Sequence, residues 1–227
     1  EGGPRRVLEV GVGTGLLLAH LAPDCEQYWG TDFSAPVLHE LRALVDSRPE
    51  LAGIVRLRHQ AAEDVSGLPT GFFDTIVLNS VVQYFPHAGY LLDVIRAVLP
   101  LLVPGGRVFV ADVRDLQTQR AFYTATELAG SGPAASRETV RPAVEQAIAA
   151  ERELLLAPEF FTGLASTVDG LTGVDVREDQ RVRNTELAHR LGWDERVRFV
   201  AGTIAEAPVE GADVVLALHA CDTATDE

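Results

Sequence analysis

The stretch Val7-Leu8-Glu9-Val10-Gly11-Val12-Gly13-Thr14-Gly15-Leu16 decides how the rest of the chain is read. Its apolar residues, broken only by Glu9, fit a buried strand. Three glycines at alternate positions then permit a tight turn and let a ligand sit against bare backbone. A helix over Leu16–Leu21 follows, and its opening amides would face that ligand. Glu9 sets a carboxylate at the end of the strand, just before the turn. The pattern predicts a nucleotide-type cofactor site.

The next strand, Gln27-Tyr28-Trp29-Gly30-Thr31, ends at Asp32, which lies 21 positions after Gly11. A gap of about 20 residues brings the acid of a βαβ unit onto a ribose. A dinucleotide turn reads G-x-G-x-x-G, but here the third glycine comes early, at Gly15, and Leu16 takes the sixth place. That disfavours a nicotinamide-dependent dehydrogenase. S-adenosylmethionine (SAM) accounts for both departures. It has no pyrophosphate to cradle, and its sulfonium and ammonium groups call for an acid such as Glu9. The cofactor set is then Glu9, Gly11, Gly13 and Gly15 at the turn, Asp32 on the ribose hydroxyls and Phe33 on the adenine ring. Ala62, Glu63 and Asp64 would lie by the adenine amino group, with Asn79 at the end of a later strand.

Further along, Val37, Leu38, Leu41, Leu44 and Val45 give an amphipathic helix, and Ile54–Arg58 a third strand. A fourth strand runs from Thr75 to Asn79, a long helix covers about Ala88 to Leu101, and Pro104-Gly105-Gly106 turns into a fifth strand, Arg107–Asp112. Alternating strands and helices predict an α/β fold with a Rossmann-like, doubly wound, mostly parallel sheet. Two helical stretches, Leu116–Ala129 and about Val140–Leu156, form an insertion over 116–156. Pro142 is tolerable in the second only near its first turn. An insertion after the fifth strand is expected at the carboxyl ends of the sheet, as a lid over the acceptor; covering one sheet face is the alternative. From Leu171 the form of strand two returns as Leu171-Thr172-Gly173-Val174-Asp175, and Asp175 and Asp213 stand 38 positions apart where Asp32 and Asp74 stand 42 apart. This is an internal repeat without a glycine turn of its own. The expected division is a core over 1–167 and a partial second segment over 168–227 that either completes the same sheet or is a foreign appendage.

Bulk properties narrow the function. The net charge of −14 over 227 residues argues against a general nucleic-acid or anionic-membrane surface. No apolar run is long enough to span a membrane. No signal peptide is visible, and the two cysteines, Cys25 and Cys221, lack metal or redox spacing, so a reducing, cytoplasmic setting is expected. The six histidines form no HxH or HExxH cluster, which predicts no metal site. With no methionine anywhere, the chain is expected to be a piece of a longer protein.

Residues 7 to about 162 resemble the class I methyltransferase domains embedded in nonribosomal peptide synthetases. The likeness rests on VLEVGVGTGLLLAHLAP (7–23), YWGTDFSAPVL (28–38), FDTIVLNSVVQYFP (73–86), GYLLDVIRAVL (89–99), PGGRVFVADVRD (104–115) and ELLLAPEFF (153–161). It implies the class I methyltransferase fold and N-methylation of an aminoacyl or peptidyl group held as a thioester on a carrier protein, within a larger multidomain chain. In that family the sheet would close with an antiparallel hairpin. From Leu171 onward the sequence instead resembles the middle of a second methyltransferase family, with LHACD (218–222) after its last strand, and a join near Gly173–Arg177 is expected.

Candidate catalytic residues stand at the ends of strands four and five: Asn79, Gln83 and Tyr84, then Asp112 and Arg114, with Glu159 from the end of the insertion behind them. Asn79 and Gln83 would accept hydrogen bonds from an amine, and Tyr84 would pack near the methyl group. Asp112 and Arg114 pairing with each other, and Tyr84 as a core aromatic, are the structural alternatives. His219, Cys221 and Asp222 look like a cluster but end a copy that has no turn. O- or C-methylation on the same fold, or a non-catalytic SAM-binding or structural fragment, are the rival functions. C-methylation needs a base, and after strands four and five the first copy offers only His87.

Overall fold

The computed structural model describes residues 4–131 and 136–164, and beyond them 171–175, 185–186, 189, 197–201 and 214–218. Its first half follows the alternation read from the sequence. Strand β1 (Arg6–Val10) leads through the glycine turn to α1 (Leu16–Leu21), then β2 (Gln27–Asp32), α2 (Ala35–Asp46), the single-turn α3 (Pro49–Ala52) and β3 (Val55–His59). Next come β4 (Phe73–Asn79), α4 (Ala88–Val98) with a 3-10 turn over Leu99–Leu101, and β5 (Leu102–Val113). β5 runs through Pro104-Gly105-Gly106 instead of starting after it. The irregularity falls in its pairing with β4, whose register shifts between Phe73 and Thr75.

All the pairings are parallel, and the strand order is β3-β2-β1-β4-β5, continued by β8 (Val214–Leu218), β6 (Leu171–Asp175) and β7 (Val197–Ala201). The repeated segment therefore extends the first sheet. In the first copy β1 lies between β2 and β4; in the second, which lacks that strand, β6 pairs directly with β8. No antiparallel hairpin occurs among the described strands.

Strand alternation divides the core between two faces. Val7, Tyr28 and Val77 pack with Leu18, Leu38 and Leu41 of α1 and α2. Leu8, Trp29, Ile76 and Leu78 pack with Leu91, Val94, Ile95 and Val98 of α4. Burying each large aliphatic side chain contributes about 1.5–3 kcal/mol, so these two layers hold the sheet rigid beneath its loops. Trp29, Phe72 and Phe73 meet edge-to-face at centroid distances of 5.1–6.3 Å.

The insertion differs in its boundaries from the sequence reading. Its helices are α5 (Gln119–Ser131) and α6 (Arg137–Ala150), followed by extended chain and then α7 (Pro158–Leu164). Ser136 caps α6 in a reciprocal box with Thr139, so the helix starts earlier than expected and Pro142 falls inside it. There Pro142 is exposed and leaves the Glu138 carbonyl without its helical donor. Arg120 and Glu145 bridge α5 and α6 at 2.8 Å. The insertion is stitched to the carboxyl edge of the sheet. Leu156 exchanges backbone hydrogen bonds with the chain after β5, its N–H donating to the Arg114 carbonyl and its carbonyl accepting from Leu116 N–H, while Leu154 N–H donates to the Gln83 carbonyl.

Candidate active site

Because β1, β2, β4 and β5 are parallel, Glu9, Asp32, Asn79 and Asp112 arrive at one edge of the sheet. The glycine turn sits among them. Gly11 has φ +80°, and a Cβ on it would fall 2.6 Å from Cγ2 of Val81. The turn thus leans on the loop after β4, and only glycine meets both the backbone and the space requirement. Gly13 also has positive φ, but a Cβ there would meet open space. Both turn amides of Gly11 and Val12 donate to the Thr31 carbonyl, tying the turn to β2.

Asp32 is 8% exposed and holds the turn from the other side. Its Oδ2 accepts from Gly13 N–H at 3.0 Å, and its Oδ1 accepts from Ser34 N–H at 2.8 Å. Each oxygen keeps a lone pair for a further donor, which suits a ribose diol. Phe33, beside it, is 75% exposed, an unusual amount for an aromatic ring. His59 Nε2 lies 2.7 Å from the Phe33 carbonyl and fixes that backbone. The loop with Ala62, Glu63 and Asp64 follows β3, where Gln60 N–H donates to the Asp32 carbonyl. Both acids of this loop are engaged. Asp64 accepts from Ser66 N–H at 2.9 Å, and Glu63 accepts from the Tyr90 hydroxyl.

Glu9 is buried, and its Oε2 accepts a 2.6 Å hydrogen bond from the Tyr28 hydroxyl. Burial lifts its pKa to about 7, against the pull of the Tyr28 hydrogen bond and with a further push from Asp32. An acid held this far from its ordinary range is relieved by a cation, so Glu9 fits the charge of SAM. Tyr28 was not legible as a site residue, since strand alternation gives the face of its ring and not the partner of its hydroxyl.

On the acceptor side, Gln83 is buried and its Oε1 has no hydrogen-bond partner. Tyr84 is 69% exposed, so it stands free of the core. Asn79 Nδ2 donates to Ser80 Oγ at 3.1 Å, and Ser80 Oγ donates to Asp112 Oδ2 at 2.7 Å. Asp112 therefore pairs with Ser80. Arg114 is drawn away into a clamp on the insertion. Its guanidinium binds Glu151 at 3.0 Å and also Glu153, and it lies over the Phe122 ring. Tyr123 adds a hydrogen bond to Glu151. Glu159 accepts from Gln117 Nε2 at 3.0 Å. His219, Cys221 and Asp222 lie outside the described residues. Cys25 is a free, buried thiol whose pKa burial raises to about 11. Among the described residues no group of three or more His, Cys, Asp or Glu side chains could hold a metal ion.

Comparison with known proteins finds matches over most of the chain. Residues 8–108 match a methyltransferase-domain family, and residues 160–227 match a second, separate methyltransferase-domain family. A probable non-canonical nonribosomal peptide synthetase of Salinispora arenicola is 50% identical over 175 residues, 77% of this chain and 2% of that protein. The chondramide synthase of Chondromyces crocatus is 42% identical over 185 residues, 82% of this chain and 5% of that protein. The chain thus spans a very small part of these relatives. The N-methyltransferase NodS of Bradyrhizobium japonicum superimposes with a TM-score of 0.45 at 21% identity, covering 64% of this chain and 73% of that one. With its strand order, its glycine turn between two buried acids and its two methyltransferase-domain matches, the chain is a SAM-dependent methyltransferase whose sequence is similar to short segments of nonribosomal peptide synthetases.

Proposed function

We propose that the protein methylates the nitrogen of an aminoacyl or peptidyl group presented as a thioester on a carrier protein, within a larger synthetase. The observation that carries this reading is the pair of acceptor side chains, Asn79 and Asp112, that the ends of β4 and β5 bring to the same edge of the sheet as the glycine turn. Their oxygens can accept from a substrate N–H. SAM, when bound, supplies a methyl group activated by the sulfonium.

A free α-amine has a pKa of roughly 7.7–8.0, so a useful fraction is neutral near neutral pH. The chain's own residues need only hold that nitrogen in line and meet the charge that grows on it. The histidine required for C-methylation is engaged elsewhere, because His87 Nδ1 accepts from Tyr90 N–H as the cap of α4. Among the described residues no helix is long and apolar enough to cross a membrane.

The test is incubation with SAM and an aminoacyl thioester of N-acetylcysteamine, with the product fragmented by mass spectrometry. One methyl group on nitrogen is expected. A methyl group on carbon or oxygen would overturn the reading, as would a flat calorimetric titration with SAM.

A further inference from the structure

We propose that Ser80 is a positioning residue that aims Asn79 and Asp112 at the two hydrogens of a primary amine, an inference that rests on the proposed N-methylation. Two non-glycine residues of the described chain have positive φ, Ser80 at 53° and Asp112 at 56°. They stand side by side, because Asn79 pairs with Ala111 at the ends of β4 and β5 and Ser80 N–H donates to the Ala111 carbonyl. Left-handed backbone costs such residues about 1–3 kcal/mol each, and it persists where surrounding structure enforces it. Two such residues, adjacent and at the site edge, point to a functional constraint.

Their hydrogen bonds run in one direction. The single hydroxyl proton of Ser80 goes to Asp112 Oδ2 at 2.7 Å. Its oxygen must then accept from Asn79 at 3.1 Å, which sets the Asn79 amide with its nitrogen toward Ser80. The Asn79 carbonyl oxygen therefore faces the other way, and Asp112 is held by one oxygen with the second left to the acceptor. Both residues thus turn acceptor atoms outward, where an Asn79 amide free to rotate would present donor and acceptor equally. The next residue, Val81, abuts Gly11, so this pair is registered against the cofactor turn.

A neutral primary amine has two hydrogens and one lone pair. With the hydrogens taken by Asn79 and Asp112, the lone pair points at the methyl group. As the N–C bond forms, the S–C bond breaks and its electron pair stays on sulfur. The positive charge left on nitrogen faces Asp112, and the extra proton leaves to water. The methylated product has one hydrogen fewer and can satisfy only one of the two acceptors, which favours a single transfer.

Ser80→Gly tests this, because glycine adopts the same left-handed backbone without strain and lacks the hydroxymethyl group. Three readouts are needed: SAM affinity by calorimetry, affinity for an aminoacyl thioester mimic in the presence of S-adenosylhomocysteine, and kcat. The expected result is SAM affinity within about twofold of the parent, amine affinity weakened about tenfold and kcat lowered about 10–100-fold. Parent-like amine affinity and kcat in Ser80→Gly would overturn the proposal, even with N-methylation intact. If the parent binds the amine and the variant binds it weakly, but nitrogen is never methylated, the reaction assignment fails and the positioning role stands. A parent that binds no amine overturns both.

Discussion

The hydroxyl of Tyr28 donates a 2.6 Å hydrogen bond to the Glu9 carboxylate, across the strands β2 and β1 and directly beside the glycine turn. Gly30, opposite Glu9 in the register, leaves room for Val12 and Leu57, since a Cβ on it would fall 3.0 Å from each of their side chains. Burial raises the pKa of Glu9 to about 7, against the pull of the Tyr28 hydrogen bond, and so tunes the acid close to neutrality.

Cofactor binding should consequently release a proton. From the ordinary carboxylate range up to about pH 7, the folded chain holds a proton on Glu9 that the unfolded chain has lost. Stability from this group therefore falls as pH rises through that window, and the loss is complete above it. A cationic ligand favours the ionised form, so SAM affinity should strengthen severalfold between about pH 6 and about pH 7.5. Calorimetry near pH 6 in two buffers of different ionisation enthalpy counts the proton. Glu9→Gln should flatten the pH dependence; identical proton release in both proteins would show that another group titrates.

Asp32 is predicted to serve cofactor and turn together. It accepts from Gly13 N–H and Ser34 N–H, and hydrogen bonds to charged groups are worth about 1.5–3 kcal/mol each. Asp32→Ala should weaken SAM binding at least tenfold, and Asp32→Asn by less, since the amide keeps one acceptor oxygen. Equal affinity in Asp32→Ala would refute the ribose assignment.

The glycines of the turn should differ in their tolerance. Gly11→Ala places a Cβ against Val81 at 2.6 Å, whereas Gly13→Ala meets only open space. Both pay for positive φ, by roughly 1–2 kcal/mol. Gly11→Ala should therefore lower the thermal midpoint and the SAM affinity more than Gly13→Ala. Adding Val81→Ala should restore part of the loss in the first and none in the second, which a thermal melt of the four proteins resolves.

Arg114 should act on the insertion. It joins the end of β5 to Glu151 and Glu153 and covers Phe122 of α5. Arg114→Met should speed amide hydrogen exchange across residues 119–150 and leave β1, β2 and β4 protected. Unchanged exchange in α5 and α6 would show that the bridge to Leu156 holds the insertion alone.

What the sequence made legible follows physical range. Glu9, Asp32 and Asn79 were readable because each ends a strand, and a parallel sheet brings strand ends together whatever the loops do. Arg114 was readable as a position and not as a role, since Glu151 and Glu153 lie far along the chain and beyond two helices. Ser80 carried no signal, because its importance resides in a backbone angle and in the direction of a hydroxyl proton. The start of α6 was misplaced because Ser136 and Thr139 cap it, a short-range feature that outweighs Pro142 inside the helix. The continuation of the sheet past β5 could not be settled from the repeat alone, because pattern gives strands and not their neighbours.

That continuation also has a temporal side. β5 pairs with β4 on one flank, roughly 30 residues earlier in the chain, and with β8 on the other, roughly 100 residues later. During synthesis the β4 flank is satisfied early, while the other flank waits for nearly half the chain to emerge. Pairings so distant in sequence form slowly, and a waiting strand edge is a template for other chains. Aggregation of nascent chains, more than instability of the finished fold, is then the hazard this topology carries.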